Sequence, residues 1–430
     1  MIRLRYSILL PAVLLFSPAP TWCIERFPPP DFDSGYHLPL TTTPAGRAEF
    51  YQILDVLVLL TALSIASYLT LKKRSRPAIF LLMVFSLIYF GFWREGCVCA
   101  IGAIQNVTLS LFDKNYIMPL TTLAFFILPL IFTLFFGRGF CAGVCPLGAI
   151  QDAVLVRPVP VPVAWQHALG LLAYIYLGAA VLFAATGSAF IICDYDPFVS
   201  FFRLTGKLNI LILGASLLTI GLFVGRPYCR FLCPYGVLLR WLSRLSQWRV
   251  TITPDECIKC RLCEDSCPFG AIEKPTLTYS AAGTKSDQAR LGRLLLLSPL
   301  LILIGGFLVS RLSAPFSRMH VTVRLAEQIY HEETDHAVKT THASDAFRAT
   351  GQPIDKLYNE ALTIRGKFVH GGWILGAFLG VVIAAKLIRL SVFRTRTDYT
   401  ADRANCLACG RCFAYCPVEH QRIKNNKTVT

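Results

Sequence analysis

Apolar stretches recur along the chain, separated by short polar blocks. Seven approach the roughly 20 residues that a spanning helix needs: about 51–71, 77–93, 116–136, 163–186, 208–225, 293–312 and 370–390. The second and fifth are short, and tilt or interfacial residues would complete them. Ahead of them, residues 1–23 (MIRLRYSILLPAVLLFSPAPTWC) join a basic start to an apolar middle, the pattern of a signal peptide or a retained anchor. Residues 24–50 are rich in Pro and Thr without periodicity and read as an extended external segment. The pattern predicts a polytopic all-α membrane bundle.

Basic residues orient the bundle, since Lys and Arg collect on cytoplasmic loops. The first span ends in Lys72, Lys73, Arg74 and Arg76. Alternate loops then carry Arg138 and Arg157, and the run Arg226, Arg230, Arg240, Arg244 and Arg249. The tail follows Lys386, Arg389, Arg394 and Arg396. This places a five-helix membrane domain at 51–249 and a cytoplasmic segment at 250–285. A span at 293–312, a His-rich periplasmic region at 313–369, a span at 370–390 and a cytoplasmic tail at 391–430 follow. The expected location is a bacterial inner membrane, crossed several times.

Composition agrees. Of 430 residues, 54% are hydrophobic and 16% charged, against about 25% charged in soluble domains. The net charge of +16 flanks apolar segments, so topology explains it and nucleic acid does not.

The 16 cysteines carry the chemistry. Two runs share the form Cys-x2-Cys-x2-Cys-x3-Cys-Pro: Cys257, Cys260, Cys263 and Cys267, then Cys406, Cys409, Cys412 and Cys416. This is the bacterial [4Fe–4S] spacing, in which the fourth Cys of each run serves the other cluster. It pairs Cys257, Cys260, Cys263 with Cys416, and Cys406, Cys409, Cys412 with Cys267. Two spans separate the runs, so both fall on one side and can reunite as a split 2[4Fe–4S] ferredoxin module. If they do not reunite, each run holds its own cluster.

Two shorter motifs, GRGFCAGVCPLGAIQD and GRPYCRFLCPYGVLLR, follow spans on the same side. They supply Cys141, Cys145, Cys229 and Cys233. Three-residue spacing predicts each pair on one helical face. Four thiolates are enough for a third metal centre; reduced or redox-active thiols are the other reading. REGCVCAIGAIQNV is a degenerate copy with Cys97 and Cys99, on the external side together with Cys193, Asp194 and Asp196 of FIICDYDPF. A weaker external metal or redox site is drawn from Cys97, Cys99 and Cys193. His320 and His370 lie near membrane ends, where non-covalent haem or quinone could bind. No Cys-x2-Cys-His run points to c-type haem.

The paired GRxxCxxxCPxG motifs, followed by the twin ferredoxin motifs, resemble the membrane polyferredoxins (NosR/NapH-like proteins). The resemblance covers roughly residues 77–272 and 400–417. It implies electron transfer from quinol or a cytoplasmic donor toward a periplasmic reductase, cytochrome or cupredoxin, together with other membrane subunits. The nitrous oxide relatives carry a large external flavin domain. Here under 50 residues precede the first span and no SGAT motif occurs, so covalent FMN is not expected. The expected function is an electron-transfer subunit with two cytoplasmic [4Fe–4S] clusters, within a quinol-oxidising complex; the alternative is a redox-sensing or maturation factor for a periplasmic metalloenzyme.

Overall fold

The structure, a computed structural model, describes residues 48–96, 99–252, 257–276, 284–335, 339–392 and 396–428. The 1–23 segment, Cys97 and His336 lie outside the described residues.

Among the described residues, five helices are long and apolar enough to cross a membrane: Glu49–Lys73, Arg76–Trp93, Val163–Ala185, Gln288–Arg311 and Ile354–Ser391. Two of the seven expected spans are shorter. Leu120–Phe136 has 17 residues and Leu208–Gly221 has 14, or about 25 and 21 Å at 1.5 Å per residue. Prolines and glycines account for this. Pro119 is extended and starts the first of them, and the second ends at Gly221, ahead of Gly225 and Pro227.

A unit of long helix, irregular turn and short helix occurs four times. The long helices are Arg76–Trp93, Leu120–Phe136, Leu172–Ala185 and Leu208–Gly221; the short ones are Ala103–Phe112, Pro146–Ala153, Val199–Arg203 and Pro234–Ser243. Successive turns fall at opposite ends of the bundle. The turns dip back inside it instead of staying at its edge. Ser86 Oγ donates to Gly143 O at 2.8 Å, and Gly143 packs against Leu82 and Ile79, midway along Arg76–Trp93. Tyr235 donates its hydroxyl to Phe126 O at 2.7 Å, within Leu120–Phe136. Irregular backbone at membrane depth is tolerated where protein surrounds it, and Phe140 to Val144 are all buried.

Thr284–Arg311 and Ile354–Ser391 form an antiparallel pair beside this core. Gly372, Gly376 and Gly380 recur every fourth residue, the small-xxx-small spacing that lets backbones approach closely. They face Ser310, Gly305 and Ile302, and a Cβ on Gly376 would lie 2.0 Å from Gly305 O. Between the pair, the His-rich region is mostly helical: Ser313–Ser317, Val321–Thr334 and His342–Ala349. PIDKLYNEALTIRGKF opens the 38-residue Ile354–Ser391 helix, with Pro353 as its N-cap. Val323, Ala326, Ile329, Leu357 and Ala361 give this region a small core of its own.

The pair returns the chain to where it left, and the two cysteine runs reunite. Strand β1 (Ile272–Glu273) pairs antiparallel with β2 (Thr400–Ala401), with Ile272 opposite Ala401. Asp402 N donates to Ala271 O at 2.8 Å, and Thr276 N to Arg396 O at 3.0 Å.

Candidate metal centres

The two ferredoxin loops have one backbone conformation. Lys259 and Arg261 in the first, and Ala408 and Gly410 in the second, take positive φ at matching positions between the cysteines. For the three with side chains this is strained, the kind of cost that persists at functional sites. It winds each loop tightly enough to turn three sulfurs inward.

Sulfurs of the two runs lie side by side. Cys257, Cys260, Cys263 and Cys416 line one pocket with Ile252 and Tyr399. Burial, then Cys406, Cys409 and Cys267, push the Cys412 thiol well above its ordinary value. The Cys406 thiol is pushed up to about 12 by burial, with Cys409 and Cys267 adding to it. Thiolates crowded in a dry site would repel one another, so without a cation the groups stay protonated; metal coordination deprotonates them outright. The donor sets therefore fit thiolate-bound clusters.

Cys141, Cys145, Cys229 and Cys233 form a third set, all buried. Cys145 has Cys229, Cys141 and Cys233 among its electrostatic neighbours. The expectation of each pair on one helical face is corrected. Cys141 sits in the π-helical turn Phe140–Val144 and Cys229 in the helix Pro227–Phe231. Cys145 and Cys233 are extended N-cap residues, each followed by Pro as the first helical residue. Proline disfavours helical conformation in the residue before it and suits the first helical position. The motif is thus a helix break that aims two sulfurs at one point from two elements. Cys233 Sγ accepts the N–H of Gly236 at 3.3 Å, and Gln151 Nε2 donates to Cys229 Sγ at 3.3 Å.

Among the described residues, no three His, Cys, Asp or Glu converge tightly enough to hold a single metal ion. The cysteine sets surround volumes instead of points, which suits clusters better than a single zinc ion with its 2.3 Å bonds to sulfur.

Arginines tie the module to the bundle. Asp152, beside Gln151, pairs with Arg76 at 2.6 Å, Arg411 at 3.3 Å and Arg226 at 3.5 Å. Burial raises the Asp152 carboxyl, but Arg226, Arg76 and Arg411 outweigh it and hold the group well below the usual carboxylate range. Arg226 is fully buried and donates to Cys141 O. Arg76 also donates to Cys409 O at 3.1 Å, Arg138 to Ala404 O at 3.3 Å, and Arg230 to Pro268 O at 3.2 Å. Arg74 pairs with the buried Glu419 at 2.6 Å. The residues read from the sequence as topology charges thus also dock the ferredoxin module. Asp152 went unnoticed there, although its place after Gln151 in GAIQD was visible.

The weaker candidates divide. Cys99 and Cys193 line a common cavity at the end far from the module. His320 caps the Val321–Thr334 helix, its Nδ1 accepting the N–H of Thr322 at 3.2 Å. His370 is exposed, with Nδ1 2.8 Å from Gly366 O. Neither arrangement singles out a haem ligand.

A sequence profile described as a 4Fe–4S binding domain matches twice, at residues 118–159 and 205–253, each containing one Cys-x3-Cys-Pro pair. A second profile, also a 4Fe–4S binding domain, matches 250–273. Protein NirI of Paracoccus denitrificans is 33% identical over 150 residues, 32% of this chain and 22% of NirI. The putative electron transport protein YccM of Escherichia coli is 32% identical over 123 residues, 27% of this chain and 34% of YccM. An uncharacterised protein of Methanocaldococcus jannaschii is 28% identical over 191 residues, 42% of this chain and 77% of that protein. The match thus spans about a quarter to a third of the two named relatives. No solved structure matches the chain. With its apolar helices and cysteine sets, the chain is a polyferredoxin-like 4Fe–4S membrane protein that transfers electrons.

Proposed function

We propose that the chain carries three [4Fe–4S] clusters in line and passes electrons between a quinol in the membrane and the cytoplasmic ferredoxin module. The observation that carries this is the grading of the three cysteine sets. The first set runs from exposed Cys260 through half-buried Cys257 to buried Cys263 and Cys416; the second pairs half-buried Cys406 and Cys267 with buried Cys409 and Cys412; Cys141, Cys145, Cys229 and Cys233 are all buried within the bundle. Arg226 has Cys229, Cys409 and Cys141 as electrostatic neighbours, so the middle and inner sets adjoin. Bound clusters supply one-electron chemistry. The protein supplies spacing, burial and N–H groups such as those of Gln151 and Gly236, which tune potential.

A cavity of about 780 Å³ supports the quinol reading. Tyr174, Trp241, Phe269 and Phe378 wall it, and Cys229 opens onto it. Its size suits a drug-sized ligand. Lys386 Nζ lies over the Tyr174 ring at 5.3 Å and donates to His167 O at 2.9 Å, and Arg138, Arg230, Arg240, Arg244 and Arg389 also line the cavity, so aromatic and basic groups share its wall. The second partner is a periplasmic redox protein, reached across the bundle.

The test is anaerobic purification with iron and sulfide counting, EPR of the reduced protein, and quinol oxidation. The expected result is about twelve iron and twelve sulfide per chain, with quinol reducing the clusters at catalytic rates. About eight of each would remove the inner cluster. Clusters that quinol does not reduce would favour a maturation or sensing role.

A further inference from the structure

The far end of the bundle repeats the four-cysteine site in altered form. Gln151 and Gln105 hold the same place in two copies of one motif, each six residues after a cysteine (Cys145 and Cys99) and three after a glycine (Gly148 and Gly102). Each glutamine reaches to another re-entrant turn and accepts the backbone N–H of the residue just before a cysteine. Gln151 takes it from Tyr228, ahead of Cys229, at 3.0 Å; Gln105 takes it from Ile192, ahead of Cys193, at 3.0 Å. Gly102 leaves room for Cys193, whose Sγ would lie 3.4 Å from a Cβ there.

The fourth position also has its counterpart. Cys233 precedes a proline and caps the following helix through Gly236 N. Asp196 likewise precedes a proline, and its Oδ1 accepts from Phe198 N at 2.9 Å and Val199 N at 3.3 Å. Asp196 is 3% exposed. Cys99, Cys193 and Asp196 line a cavity of about 180 Å³, with Asn106 and Arg203 also in its wall.

One polar group remains unexplained. Gln105 is fully buried, and among the described residues its Nε2 has no hydrogen-bond partner. Its counterpart on Gln151 donates to the sulfur of Cys229. A buried donor left unpaired is destabilising, and a metal-bound thiolate at Cys193 would satisfy it. Soft thiolates suit iron–sulfur clusters, the chemistry read for the matching four-cysteine set.

We propose that Cys99, Cys193 and Asp196 hold an iron–thiolate centre at the far end of the bundle, the pseudosymmetric partner of the Cys141, Cys145, Cys229 and Cys233 site. Tyr228 stands between the two: its N–H is held by Gln151 beside Cys229, and its ring packs edge-to-face at 5.4 Å on Phe198, two residues after Asp196. As a relay, which rests on the function proposed above, one electron leaves the reduced inner cluster and reduces the far-end iron; no atom or proton moves with it. Cys193 is exposed, so a partner at that face can take the electron.

The test uses the full chain, purified anaerobically, in parallel as wild type, C99S/C193S and C141S/C229S. The expected loss in C99S/C193S is about one to two iron per chain, with the ferredoxin EPR signals intact. Sulfide lost with the iron marks a cluster; iron lost alone overturns the proposal, since Cys99, Cys193 and Asp196 do not converge on a single ion. D196N keeps the backbone hydrogen bonds, guards against misfolding of the double variant, and is expected to release this iron to a chelator about tenfold faster. Unchanged iron in C99S/C193S, or unchanged release in D196N, overturns the proposal. So does a Cys99–Cys193 disulfide in the anaerobic protein, seen by non-reducing mass spectrometry. If C141S/C229S loses a cluster while C99S/C193S loses nothing, the far-end site fails alone; if neither loses iron, the inner cluster fails too.

Discussion

The two ends of the bundle use one motif for different purposes. At the ferredoxin end GAIQD supplies Asp152, locked among Arg76, Arg226 and Arg411. At the far end GAIQN puts Asn106 at the same position, where it accepts the Tyr116 hydroxyl at 2.6 Å. The glutamine is common to both and braces a cysteine turn. The neighbouring residue decides what the end can dock. A buried carboxylate with three arginines holds a basic-edged module; a neutral amide holds nothing of the kind. The comparison separates bracing a cysteine turn, which both ends do, from anchoring a second domain, which only one does.

The sharpest way to break this comparison is Asp152→Asn. Arg226 is 0% exposed and would keep its charge without a carboxylate. Removing one partner of a buried ion pair costs about 3–5 kcal/mol. The expected outcome is a lower melting temperature and loss of the ferredoxin EPR signals, since Arg76 and Arg411 bridge to the second cysteine run. A D152N protein with wild-type iron and melting would show that the arginine network is incidental.

Much of the ferredoxin module was legible beforehand. The Cys-x2-Cys-x2-Cys-x3-Cys-Pro spacing prescribes which sulfurs meet, and an even number of crossings between the runs lets them meet. The depth of Cys141, Cys145, Cys229 and Cys233 was not legible. A helix that spans and a short one that re-enters have the same apolar composition, and only packing such as Ser86 on Gly143 distinguishes them. The arginines misled for a related reason. Positive charge beside a span satisfies the topology rule whether it meets lipid headgroups or, as with Arg76 and Arg138, the carbonyls of a docked domain. Asp196 was noticed only as a neighbour of Cys193, because nothing in FIICDYDPF says that a carboxylate stands where the other copy has a thiol.

A smaller effect tests the crossing that joins the two ends. Gly376→Ala puts a methyl 2.0 Å from Gly305 O and 2.8 Å from Gly306 Cα. Both are backbone, so the helices must part. Overpacking of this kind costs about 1–3 kcal/mol. Because this helix pair carries the second cysteine run back to the first, module iron should fall with stability. Gly366→Ala is the control on the same helix: nothing lies within 4 Å of its new Cβ, and alanine gains up to about 1 kcal/mol of helix propensity. Equal behaviour of the two variants, by thermal melt and iron content, would refute close glycine packing.

The smallest effect expected is at the far end, and it completes the comparison from the other side. Asn106→Asp writes the ferredoxin-end motif into the far end. The Tyr116 hydroxyl would still donate to Oδ1, and the weak 3.4 Å donation from Nδ2 to Gly102 O would be lost. Asn106 is only partly buried, so a carboxylate there keeps some solvent, and Arg203 in the same cavity wall offers partial compensation. The shift should stay within about 1 kcal/mol, with the ferredoxin EPR signals unchanged. If Asn106→Asp instead destabilised the protein as much as Asp152→Asn, the far end would be as tightly built around this position as the ferredoxin end. Asp152 would then owe its weight to its place in the bundle, and its three arginines would not be what sets the ends apart.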